Sequence, residues 1–138
     1  MRRTTQLAIA GILVLACVAV AGDGAQPAAA ARLAIRAVPM AAGYHPYLEL
    51  LSGPPETASM ESGLVTLLPG HAGGVHNTEG FEEVLLPLDG EGERRAPGRA
   101  PVKVEPGVLL YVPPHTEHDV ANTGTRNLRY VFVAARAE

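Results

Sequence analysis

The chain has 138 residues, with 11 lysines and arginines against 14 aspartates and glutamates, for a formal net charge of -3. Its basic residues form no cluster beyond the pairs Arg2-Arg3 and Arg94-Arg95, which excludes a nucleic-acid partner, since such partners need a basic patch or stripe. A single cysteine, Cys17, excludes an internal disulfide and a thiolate metal site, so nitrogen and oxygen donors must hold any metal.

Arg2 and Arg3 precede the apolar run 7–21, which is long enough for a signal-peptide core and short for a membrane span of about 20 residues. The expected protein is therefore exported, to the periplasm or the extracellular space. Ala19-Val20-Ala21 offers a small-x-small cleavage site before Gly22, which makes 1–21 the leader. The alternative is a lipoprotein: Val14-Leu15-Ala16-Cys17 resembles a lipobox, and lipidation of Cys17 would anchor the chain to a membrane. Leu15 is not the small residue usual there, and cleavage after Ala21 is the favoured reading. Losing Arg2 and Arg3 with the leader leaves nine basic against 14 acidic side chains.

Residues 22–32 are mostly Ala, Gly and Pro without apolar periodicity and read as a flexible linker. The remaining stretch, 33–138, suits one small core and carries no internal repeat. Its patterning is short, strand-like and punctuated by many of the 15 glycines and 12 prolines, so an all-β barrel or sandwich is the expected class. Predicted strands cover 33–38, 47–51, 63–68, 82–88, 91–95, 102–105, 108–112, 118–121 and 127–134. The arginines of the Pro- and Gly-rich turn 94–101 are expected to be solvated.

Two stretches carry chemistry. In 69–90, P-G-H-A-G-G-V-H-N-T-E-G-F-E-E-V-L-L-P-L-D-G, a glycine turn leads to His76, and Glu83 comes on the next apolar run. Imidazole and carboxylate are both good ligands for a divalent metal, and a hairpin would bring them together. In 106–122, P-G-V-L-L-Y-V-P-P-H-T-E-H-D-V-A-N, a turn, a strand and a second turn deliver His118 as a third ligand. Residues two apart share a sheet face, which pairs His76 with Thr78, groups His118, Val120 and Asn122, and groups Glu83, Leu85 and Pro87. Val84, Leu86 and Leu88 then form a second apolar face, to be covered by another sheet, an N-terminal arm or a partner subunit; a homodimer would supply that cover. Pro87 belongs at an edge or a bulge.

These two stretches resemble the two motifs of the cupin superfamily, in its small single-domain conserved-barrel form. The first motif is matched by Gly70, His76, Glu83 and Gly90, with Thr78 standing where a second histidine belongs; the second is matched by Gly107, Pro113, His118 and Asn122, with His115 in place of a glycine. The resemblance implies a small jelly-roll β-barrel and a metal site of His76, Glu83 and His118, but no particular reaction. Iron, manganese, nickel or zinc would suit it. Thr78 removes one strong ligand. Either the site becomes a two-His-one-carboxylate centre with an open position, as in non-haem iron oxygenases, or the metal is lost from a degenerate barrel. His115 reads as a rim residue or a substitute ligand, and Tyr111, Tyr130 and Phe132 as pocket residues or core. The functional expectations are a metal-dependent oxygenase or isomerase acting on a small organic molecule, or a barrel that binds a metal or small ligand without turnover.

Overall fold

The computed structural model describes residues 35–137. The expected leader 1–21 with Cys17, the expected linker 22–32 and the first residues of the predicted strand 33–38 lie outside them. Among the described residues nine strands follow in chain order: β1 (Tyr47–Ser52), β2 (Met60–Leu67), β3 (His76–Asn77), β4 (Phe81–Asp89), β5 (Gly92–Arg95), β6 (Val102–Val104), β7 (Leu110–Val112), β8 (Glu117–Ala121) and β9 (Leu128–Arg136). They form two antiparallel sheets, ordered β1-β2-β9-β4-β7 and β3-β8-β5-β6. The expected all-β jelly-roll class holds, with no helix among the described residues.

Two-residue periodicity produces this arrangement. Along β9, Leu128, Tyr130 and Phe132 are buried while Arg129 and Val131 alternate with them, and in β7 Leu110 and Val112 flank an exposed Tyr111. The inward sets meet in one core of Leu67, Leu85, Val104, Leu110, Val112, Val120, Leu128, Tyr130 and Phe132. Burial of these side chains, each contributing about 1.5–3 kcal/mol when a large aliphatic or aromatic group is removed from water, holds the sheets face to face.

Sequence and structure differ at several places in the fold. Residues 35–38 form no strand; Pro39 brings no amide donor, and Ile35 lies fully exposed with no ladder to join. β3 is two residues long and has too short an apolar pattern to be read. The face of Val84, Leu86 and Leu88 is not covered by the second sheet, which packs on the opposite side; Leu86 is 48% exposed and Leu88 37%. Arg94 is buried rather than solvated, at 8% exposure, whereas Arg95 and Arg99 are exposed. Pro87 is tolerated within β4 because pairing with β7 ends at Leu85 and the register against β9 shifts between Pro87 and Asp89, which is the edge-and-bulge setting a missing donor demands.

Asn122 departs from the His118 face on which alternation places it, because it lies one residue beyond the end of β8 and closes the β8–β9 turn. Its Nδ2 donates to the carbonyls of Leu67 and Arg126, both at 2.8 Å, and its Oδ1 accepts from the Gly124 amide at 2.9 Å. With the residue only 2% exposed, Asn122→Ala strands buried partners and should destabilise the fold by about 3 kcal/mol. Chemical denaturation checks this; a change below about 1 kcal/mol would mean that water replaces the amide.

Candidate metal centre

The site is built where the end of one sheet closes onto the other. β3 pairs with β8 so that His76 stands directly opposite His118, and residues opposed in an antiparallel pair project to the same side. The two rings accordingly meet edge to face, with centroids 4.2 Å apart and planes at 60°. Glu83 enters from β4 in the facing sheet, held in register by Ala134 on β9 and Val112 on β7.

Backbone carbonyls set both histidine tautomers. His76 Nδ1 lies 3.0 Å from the Gly74 oxygen and His118 Nδ1 3.1 Å from the Thr116 oxygen. A carbonyl can only accept, so each Nδ1 carries a proton, and in the neutral imidazole, the form that binds a metal, each Nε2 then presents a lone pair. His118 Nε2 is buried without a hydrogen-bond partner, 3.5 Å from Glu83 Oε1. The His118 side chain is 1% exposed and that of Glu83 12%. A lone pair facing a carboxylate oxygen in a shielded site calls for a cation between them. Ligand atoms of His76, Glu83 and His118 all lie within 4.8 Å of one another. Two imidazole nitrogens and a carboxylate oxygen in this convergence could hold a metal ion, and the carbonyl bonds to Nδ1 are the outer contacts that usually orient such ligands.

Above these residues opens a cavity of about 220 Å³. Val65, Leu85, Val120 and Phe132 give it apolar walls, and Tyr130 lines it as well. Burial, and then the negative charges of Glu83 and Asp119, push the Tyr130 phenol far above its ordinary pKa. The group therefore stays protonated, with an O–H to donate.

The remaining predicted site residues fall elsewhere. Tyr111 does not line the histidine pocket. Its position on β7 points it outward, where it is 57% exposed and its hydroxyl donates to Glu82 at 3.2 Å. Thr78 does not share the His76 face, because β3 ends at Asn77 and the chain turns through Glu79 at φ 49. Its buried hydroxyl donates to the Pro113 carbonyl and accepts from the Thr116 amide, both at 2.9 Å, clasping the β7–β8 turn. His115 also belongs to that turn: it adopts φ 55, the left-handed region that glycine favours, and its amide donates to the Glu79 carbonyl at 2.7 Å. It lies outside the three-residue cluster and does not line the cavity. Sequence reasoning missed the Gly74 and Thr116 carbonyls, although each stands two residues before the histidine it orients.

Thr78→Val should cost about 2 kcal/mol, since it removes one acceptor and one donor from a buried turn, while the folded variant keeps the metal affinity of the wild type. Paired thermal denaturation and metal titration measure both quantities. A fall in affinity without loss of stability would place Thr78 at the metal instead.

The family described as the cupin domain matches residues 63–134, just over half of the chain. Among solved structures, a Cupin 2 conserved barrel domain protein from Salinispora arenicola is similar at 24% identity and TM-score 0.58, covering 66% of this chain and 75% of its own. A predicted oxalate decarboxylase from Thermotoga maritima is 26% identical with TM-score 0.60, over 65% of this chain and 78% of its own. A Thermus thermophilus protein is 28% identical with TM-score 0.59, over 69% and 90%. No curated protein matches the chain.

Proposed function

The chain belongs to the cupin domain family, and from that premise we propose that it binds one divalent transition metal through His76, Glu83 and His118 and presents it to a small organic molecule in the adjoining pocket. The observation that carries this reading is the orphaned Nε2 of His118, buried against the Glu83 carboxylate. Iron, manganese, nickel and zinc all accept this donor set. Three protein ligands leave positions for water or an incoming group, in the pattern of catalytic rather than closed structural sites. A bound ion supplies Lewis acidity or, if it is iron, oxygen activation.

The chain's own residues do the rest. Apolar walls exclude water and take the body of the ligand. Tyr130 donates a hydrogen bond to a polar group on it, and Glu83 and the two imidazoles fix the position of the charge. Among the described residues no separate nucleophile or acid–base pair lines the pocket, so turnover as an oxygenase or isomerase rests on the metal. The likeness to a protein described as a predicted oxalate decarboxylase supports the enzymatic reading. The second reading is a barrel that holds metal and ligand without turnover.

A screen of small phenolic, keto-acid and sugar-like compounds against metal-loaded wild type and His76→Ala separates the two. Metal-dependent turnover that is lost in His76→Ala supports the enzyme. Thermal stabilisation without turnover supports the binding barrel, and no response together with no bound metal refutes both.

Export and assembly complete the proposal. Cleavage after Ala21 releases the domain into the periplasm or the extracellular space, and intact mass should find Gly22 at the N-terminus; a lipidated species beginning at Cys17 would refute that. The exposed apolar residues Leu86 and Leu88 on β4 are offered as the contact of a homodimer, to be checked by sedimentation.

A further inference from the structure

The barrel contains a second cavity, of about 260 Å³, and none of its lining residues is shared with the histidine pocket. It lies beneath the connection between β5 and β6 and against β7. Arg94 forms part of its lining, Arg99 stands beside it, and Val102, Leu109 and Leu110 are apolar walls. Arg94 is 8% exposed. Its alternation on β5 points it inward, opposite Val120 of β8.

A guanidinium cannot discard its charge on burial as a lysine can, so a buried arginine needs a counter-charge and acceptors for its five donors. Among the described residues Arg94 makes no side-chain hydrogen bond or close ion pair, and its nitrogens are not among the fully shielded polar atoms that lack a partner, so they are reachable from the cavity. The carboxylate whose field reaches it is Glu83. Glu83 is in turn directed at His118. The neighbouring arginine behaves differently: Arg95 is exposed and bonds Glu93 through both Nε and an Nη. The exposed arginine thus has an acid to itself, whereas the carboxylate near the buried one is shared with His118.

We propose that this second cavity binds a small carboxylate with an apolar tail, the carboxylate received by Arg94 with Arg99 at the mouth and the tail laid against Val102, Leu109 and Leu110. A guanidinium matches a carboxylate in planar, two-bond geometry, which a compact cation would not. Val102 and Leu109 are 54% and 63% exposed, so an acyl chain would remove apolar surface from water on entering. The site shares no lining residue with the metal centre and adds a second ligand class to the barrel.

The test is calorimetric titration of the full-length protein, metal-loaded and metal-free, with hexanoate and with hexanol. Hexanoate should bind both forms, and hexanol at least roughly tenfold more weakly because it lacks the charge. Arg94→Gln should lose the preference for hexanoate. Because that change lies in the interior, Leu109→Glu is the companion variant: it places a negative charge on an exposed wall and should weaken hexanoate binding by at least roughly tenfold without disturbing the fold. Absence of saturable binding, equal affinity for hexanol, or hexanoate binding that requires metal and survives Leu109→Glu would each overturn the proposal.

Discussion

His118→Ala is expected to lower metal affinity by at least roughly 100-fold, more than the loss seen when only an outer contact to a ligand is removed. The reason is geometric. His118 Nε2 is buried, has no hydrogen-bond partner and faces Glu83 Oε1 at 3.5 Å. Truncation removes one of three convergent donors, and no other histidine, aspartate or glutamate among the described residues joins the cluster. Restoring a solvated ligand in its place returns little, because water brings neither the fixed orientation nor the basicity of a carbonyl-bound imidazole. Elemental analysis and competitive titration read the effect. Equal metal content in wild type and variant would place the metal elsewhere.

Gly90→Ala should produce the largest loss of stability, about 4 kcal/mol, near the upper end of what single substitutions do. Gly90 adopts φ 78, where an L side chain costs about 1–2 kcal/mol before any contact is counted. An added Cβ would also lie 2.3 Å from the Asn127 carbonyl oxygen and 2.8 Å from Leu128 Cα. Both are backbone atoms, so no rotamer change relieves the clash. Relief would require moving β9, whose Leu128 is fully buried in the core. Urea denaturation measures the change. A loss below about 1 kcal/mol would show that the turn between β4 and β5 yields without disturbing the core.

How much of the fold is legible in the sequence depends on how much a period of two can carry. Long strands with one buried face, such as β4 and β9, announce themselves, and so does the spacing that brings His76, Glu83 and His118 together. β3 has only two residues and owes its existence to pairing with β8, so no local pattern marks it. Thr78 escapes a linear reading for the same reason: alternation stops at Asn77, where the chain already turns and the hydroxyl serves Pro113 and Thr116 instead. Chemical type alone assigns Tyr111 to the pocket, yet its parity between the inward Leu110 and Val112 sends it to solvent. Arg94 reads as part of a polar turn, and only its alternation with the buried Gly92 along β5 reveals the inward side chain. Turn chemistry and charge composition dominate a linear reading, whereas burial is decided by partners distant in sequence.

The same dependence on turns shapes the site itself. Both histidines hang from short elements, and both are steadied by a carbonyl two residues upstream. The precision of the site therefore depends on the turns at 70–75 and 113–116 as much as on the sheet. The Thr78 clasp is one of the supports of the second turn, which explains how a residue at a ligand position of the family motif can act on the loop rather than on the metal.

The most direct test of the metal centre is a crystal of the metal-loaded protein examined at the absorption edge of the bound metal. The account predicts a single anomalous peak about 2.0–2.2 Å from His76 Nε2, His118 Nε2 and a Glu83 carboxylate oxygen, with the remaining positions open to solvent. A peak away from these three side chains, or none in protein that binds metal stoichiometrically in solution, would contradict it.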